Sequence, residues 1–208
     1  MLLGETDISV SSQALVRLGD VSISAFNETF GGEQCGLIAP FVKEKVLSAY
    51  PWRVTMVKSK VLARVAAAPN SEYRHAYTLP PDLLFGPRTV WESSEGNVGT
   101  KTPHLNFEIF GKQLLSDSVF IKIDYQVDVD TGKLPAHIIE LYVLALKAEI
   151  AFVVTDQQNT ADAARAEAWG TPQERMRGGY FAVAARIDAQ TRPPSRIKSF
   201  PLTAVRRS

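Results

Sequence analysis

The chain has 208 residues, 45% of them hydrophobic and 22% charged, and a formal charge of +1. Such a chain is long enough to bury a working core, which excludes disorder throughout, and its near-neutral total argues against a dedicated nucleic-acid coat, where Lys and Arg must be in excess. The single cysteine, Cys35, excludes an internal disulfide and a cysteine-based metal cluster. With no signal-peptide pattern in Met1-Leu2-Leu3-Gly4-Glu5, synthesis in a reducing cytoplasm is expected.

From the N-terminus, Thr6 or Asp7 is placed to cap a short helix carrying Ile8, Ala14, Leu15 and Leu18, with Gly19 as its C′ residue. A second helix is expected from about Glu33 to Ala49, where Leu37, Ile38, Phe41, Val42 and Val46 recur at three and four. Pro40 should kink or divide it, and Tyr50-Pro51-Trp52 ends it. From Trp52 to Val129 the pattern is that of strands. Residues 53–58 and 119–127 read as strands, and Phe107 to Phe110 with Gln113 to Leu115 as a hairpin around Gly111-Lys112, in a primed turn with glycine at its first central position. Tyr77 to Leu79 and Arg88 to Trp91 are further short strands, separated by the Pro80-Pro81-Asp82 corner and Gly86-Pro87. Residues 93–103 read as an exposed loop.

Helix returns with Pro135 at its N1 position and runs to about Asp156. Its core, IIELYVLALKAEIAFVV at 138–154, is interrupted by Glu140, Lys147 and Glu149 and falls short of the roughly 20 apolar residues of a membrane span. Being apolar around most of its circumference, it must be covered on several sides, by its own domain or by a neighbouring subunit. A last helix from near Thr160 carries Ala161, Ala164, Ala168, Trp169, Met176, Tyr180, Val183, Ala184 and Ile187 near one stripe, bent or interrupted at Gly170-Thr171-Pro172. Helices, then strands, then helices predict an α+β fold. Its parts are a helical body (1–51 and 134–188), an inserted small antiparallel β region (52–133) and an extended basic C-terminal arm (189–208).

Arg186, Arg192, Arg196, Lys198, Arg206 and Arg207 stand against Asp188 alone, which gives residues 186–208 a balance of +5 and leaves −4 for residues 1–185. Pro193-Pro194 and Pro201 bar a continuous helix in the arm. Ile197, Phe200, Leu202 and Val205 interleave with the charges as apolar anchors, which favours docking as an extended peptide onto an acidic protein groove. A frayed terminus and contact with a nucleic-acid backbone are the other readings.

Little points to catalysis. His75, His104 and His137 have no metal-binding spacing, and Gly31-Gly32, Gly96-Asn97-Val98-Gly99 and Gly178-Gly179 lack the context of a phosphate loop. Gly-x-Ser-x-Gly is absent, and Cys35 on an apolar helix reads as a small core residue. Asp124, Asp128 and Asp130 lack the spacing of an EF-hand and read as solvated strand-end carboxylates. No catalytic, cofactor or metal residue is assigned, and no cofactor is expected.

Several segments in order carry a resemblance. A helix opening Thr-Asp-Ile with Ala-Leu-x-x-Leu-Gly ends at Gly19, and Ile23-Ser24-Ala25-Phe26-Asn27-Glu28 follows. The next helix runs into Leu47-Ser48-Ala49-Tyr50-Pro51-Trp52-Arg53. Then come Tyr77-Thr78-Leu79-Pro80-Pro81-Asp82 and a late alanine-rich helix ending Ala184-Ala185-Arg186-Ile187-Asp188. Over most of residues 6–188 the chain resembles the bacteriophage head-to-tail adaptor proteins related to the podophage tail tubular protein A. Gly170-Thr171-Pro172 and Gly178-Gly179 depart from that pattern.

The resemblance implies a non-enzymatic virion protein of the neck, a homo-oligomeric ring of typically twelve copies, made in the host cytoplasm. It would sit between the portal and the next tail component, a nozzle or stopper, around an axial channel for double-stranded DNA, with no membrane contact. The C-terminal segment would reach the portal, through Arg192, Arg196, Lys198, Arg206 and Arg207 with Ile197, Phe200 and Leu202 as anchors. Subunit packing is expected at Ile138, Tyr142, Leu146, Ile150, Trp169 and Phe181, in a heterologous contact repeated around an axis. The acidic balance of residues 1–185 suits a channel through which phosphates must slide without sticking. The alternatives are a DNA-binding module using the arm and a tail-associated polysaccharide hydrolase, which needs a carboxylate pair that no spacing supplies.

Overall fold

Thr6 opens α1 (Asp7–Val16) in a computed structural model that describes residues 5–92 and 102–190. Thr6 Oγ1 accepts from Ser9 N–H at 3.2 Å while Ser9 Oγ accepts from Thr6 N–H at 3.0 Å, a reciprocal cap that satisfies two orphan donors. Gly19, at φ +85°, closes the helix as its C′ residue. Gly19 N–H bonds to Val16 O and Asp20 N–H to Leu15 O, both at 3.0 Å.

α2 (Phe30–Ala49) starts three residues ahead of the expected Glu33, because Thr29 caps it through Oγ1 and Gly32 N–H at 2.9 Å. It continues through Pro40 without being divided. α3 (Ala136–Thr155) begins one residue after Pro135, and Asp156 ends it in the left-handed region. The expected last helix is two: α4 (Gln158–Trp169) and α5 (Gly179–Gln190), joined by a corner in which Thr171 and Glu174 cap a short 3-10 turn. α5 runs two residues past the expected start of the arm.

α3 packs against α1, α2, α4 and α5, so most of its apolar circumference is covered within the chain, with Phe152 and Val153 near its C-terminal end left exposed. Ile138, Tyr142, Leu146 and Ile150 are buried there with Trp169 and Phe181, none more than 9% exposed. The six residues expected to pack between subunits therefore pack within this chain. Tyr142 Oη donates to Ala39 O at 3.0 Å, tying α3 to α2, and burial pushes its phenol pKa up.

The insertion forms two antiparallel sheets among the described residues. One orders β1 (Met56–Val61), β8 (Ile121–Val127), β4 (Leu83–Glu92) and β5 (Thr102–Pro103); the other β2 (Ala63–Arg64), β3 (His75–Thr78), β7 (Gln113–Ser116) and β6 (Phe107–Phe110). Leu62, Tyr77, Leu79 and Leu114 meet Val90, Ile121, Ile123 and Tyr125 in a second core, so the sheets face one another as a small sandwich. The hairpin turn is as expected, with Phe110 opposite Gln113 and Gly111 at φ +58°.

Three local expectations change. Arg53–Thr55 is a 3-10 turn rather than strand, since Thr55 N–H and Oγ1 both bond to Trp52 O, at 3.1 and 2.8 Å. Gly86-Pro87 lies inside β4, where the register shifts between Phe85 and Thr89, rather than separating two strands. Of the expected loop at 93–103, Thr102 and Pro103 pair with Glu92 and Trp91 as β5; residues 93–101 lie outside the described residues. The chain is an α+β protein, helical body and β insertion both present.

Body and sandwich meet at the C-terminal end of α2, whose last carbonyls have no partner within the helix. Gln126, fully buried on β8, brings Nε2 within 3.0 Å of Leu47 O and 2.8 Å of both Tyr50 O and Thr55 Oγ1. Arg88 on β4 donates from Nε to Gln126 Oε1 at 2.8 Å and from Nη2 to Ser48 O at 2.9 Å. Trp52 Nε1–H donates to Val46 O at 2.8 Å.

Candidate functional site

α2 has two apolar faces. Gly31, Gly32, Cys35, Ala39, Val42, Val46 and Leu47 are buried against the body, and burial pushes the Cys35 thiol up to about 11, which makes it a core residue rather than a nucleophile. Phe30, Leu37 and Phe41 point outward at 62, 68 and 73% exposure. At 100° per residue these three fall within about 40° of one another, over about 16 Å of helix. They form a ridge. Leu37, Ile38, Phe41, Val42 and Val46 recur at three and four in the sequence, and the structure turns Leu37 and Phe41 outward while Val42 and Val46 are buried.

Charge on α2 is sorted by direction. Lys43 pairs with Asp128 at 3.2 Å; Lys45 pairs with Glu149 at 2.7 Å and lies 5.3 Å from the centre of the Trp169 ring. Glu33 and Glu44, both exposed beside the ridge, have no cation within ion-pair distance among the described residues. The surface left to solvent is apolar at its centre and acidic along the edge that carries Glu33 and Glu44. At its N-terminal end, Phe30 opens onto a groove of about 520 Å³ lined also by Leu18, Thr29, Val154 and Thr155.

α5 carries a smaller apolar face of opposite charge. Phe181, Ala184 and Asp188 are buried, while Val183 and Ile187 are 44 and 39% exposed with Arg186 exposed between them. Asp188 is held by Arg53 N–H, 3.4 Å from each carboxylate oxygen, with His137 Nε2 3.9 Å away. Of the docking residues expected in the arm, Arg192, Arg196, Ile197, Lys198, Phe200, Leu202, Arg206 and Arg207 all lie outside the described residues.

One polar cluster escaped sequence reasoning because its members are far apart in the chain. His104 Nε2 is 2.8 Å from Ser116 Oγ and His104 Nδ1 is 3.8 Å from Glu92 Oε2, the order of an acid, imidazole and hydroxyl relay. A nucleophile must also be reachable. Ser116 is fully buried and its oxygen accepts from Ser118 N–H at 3.1 Å, while Ser118 Oγ donates to Glu92. The cluster ties β7 to the end of β4. A fluorophosphonate probe is expected to leave the native protein unlabelled; stoichiometric labelling that disappears in Ser116→Ala would make the serine an accessible nucleophile.

Asp124, Asp128 and Asp130 do not converge. Asp124 accepts from Ser59 N–H at 2.7 Å, Asp128 pairs with Lys43, and Asp130 pairs with Lys133 at 2.9 Å. Among the described residues no group of His, Cys, Asp and Glu is placed to hold a metal ion, and no helix is long and apolar enough to cross a membrane. No protein-family model and no curated protein matches the chain.

Proposed function

We propose that this chain is a structural virion protein, a ring adaptor between the portal and the tail of a bacteriophage, whose mechanism is assembly rather than catalysis. The observation that carries the reading is the second apolar face of α2. The body's core is complete without Phe30, Leu37 and Phe41, and exposing a ridge of that size to water is costly unless something covers it. The resemblance at Thr6 to Gly19, Pro51-Trp52 and Leu79-Pro80-x-Asp82 supplies the identity of the assembly. Two of those motifs occupy demanding positions: Trp52 is fully buried at the junction of body and sandwich, and Asp82 accepts from Tyr125 Oη at 3.1 Å.

The reading gives the arm the portal contact. Because α5 extends to Gln190, the informative truncation removes residues 191–208 only. Full-length chain is expected to co-sediment with portal rings from the same phage, and the truncated chain to lose at least ten-fold in affinity with its thermal midpoint unchanged. Equal binding by both forms removes the docking role. The +5 balance of residues 186–208 is the observation favouring the second reading, a nucleic-acid binder. Tight DNA retention in a gel shift, falling steeply with salt and lost on truncation, would replace the adaptor reading with that one.

A further inference from the structure

We propose that the α2 ridge of one copy receives the α5 face of the next, so that Phe30, Leu37 and Phe41 pack against Val183 and Ile187 while Glu33 and Glu44 meet Arg186. This inference rests on the ring reading and names the surfaces by which the ring closes.

Charge decides the occupant. Two copies meeting ridge to ridge would bring Glu33 and Glu44 of both into one desolvated contact, with α2's own lysines already committed to Asp128 and Glu149; like charges so placed oppose a two-fold dimer. The α5 face offers the complement. It is apolar, and Arg186 has no carboxylate partner among the described residues.

The two faces belong to different helices of one molecule. α1 packs with α2 and α4 with α5, each pair against the central α3, so the ridge and the α5 face are separate surfaces of one copy. A contact between two different faces of identical subunits is heterologous, and it continues from copy to copy until the rotation closes.

Mixing two surface variants of the full chain tests this by mass photometry and sedimentation velocity, alone and with portal rings present. Leu37→Ser/Phe41→Ser removes the ridge and keeps α5; Val183→Ser/Ile187→Ser removes the α5 face and keeps the ridge. All four side chains are exposed, and unchanged circular dichroism melts verify the fold. Each variant alone is expected to associate at least ten-fold more weakly than wild type, and the mixture to stop at one-to-one pairs, since only one productive contact remains. Arg186→Glu should weaken assembly similarly and Glu33→Arg/Glu44→Arg/Arg186→Glu restore it. A ridge variant that pairs with nothing, or rings that form normally from both variants, overturns the assigned surfaces while leaving the ring reading standing. A wild-type chain that stays monomeric even on portal rings overturns both.

Discussion

Replacing Gln126 by leucine is expected to cost about 4 kcal/mol of stability and to lower the thermal midpoint by about 10–15 °C. The side chain stands where the α2 terminus, the 3-10 turn and β4 converge. Its amide nitrogen serves Leu47 O, Tyr50 O and Thr55 Oγ1, and its oxygen accepts from Arg88. Leucine fills much of the same volume and offers neither donor nor acceptor. Leu47 O then stays buried without a partner, at a cost of about 1–3 kcal/mol, Tyr50 O keeps only its bond from Trp52 N–H at 2.8 Å, and Arg88 loses an acceptor for its charged guanidinium. Gln126→Glu keeps the shape and the acceptor for Arg88 but sets a carboxylate against three oxygens, so it too should destabilise near neutral pH. Urea denaturation of both variants checks this; a loss below about 1 kcal/mol in the leucine variant would mean that water replaces the amide at this junction.

Gly170→Ala is expected to cost about 4 kcal/mol, against about 1 kcal/mol for Gly19→Ala. Both glycines have positive φ, +83° and +85°. Gly170 combines its φ with ψ −178°, a region essentially confined to glycine. A Cβ there would fall 2.5 Å from Gly178 Cα and 2.7 Å from Glu174 Oε2, whereas one on Gly19 meets nothing within 4 Å. The first substitution adds a clash with backbone to the strain, and the second adds strain alone. Chemical denaturation of the pair separates the two effects, and equal losses would mean that the α4–α5 corner yields freely. This corner explains why Gly170-Thr171-Pro172 and Gly178-Gly179 look foreign to a continuous helix. They build a tight turn in which Glu174 accepts from Thr171 N–H at 2.9 Å.

What was legible in the chain was mostly local. Thr6 and Gly19 fix the limits of α1 through their own short-range bonds, Gly111 fixes the hairpin, and the apolar run at 138–154 marks a helix needing cover on all sides. What covers it was not legible, because that depends on where four other helices land. The ridge was hidden by its spacing. Leu37 and Phe41 are four apart, as are Ile38 and Val42, yet neighbouring residues on a helix point about 100° apart, so one periodic run contained two faces. Gln126 is one polar residue in a run read simply as a strand, and nothing local marks it as buried. It is outward from the sandwich core, and the outside is occupied there by the end of α2. The His104–Ser116–Glu92 cluster depends on strand register, which no local pattern specifies.

The clamp formed by Gln126 and Arg88 has a mechanical meaning. It grips α2 by its last turn, so the sandwich is not a pendant on a swivel. α2 behaves as a strut with one end bolted to the sandwich and its flank turned to the outside. If the proposed ring forms, torque on any one sandwich would be carried along these struts into the adjoining copies rather than absorbed at a hinge.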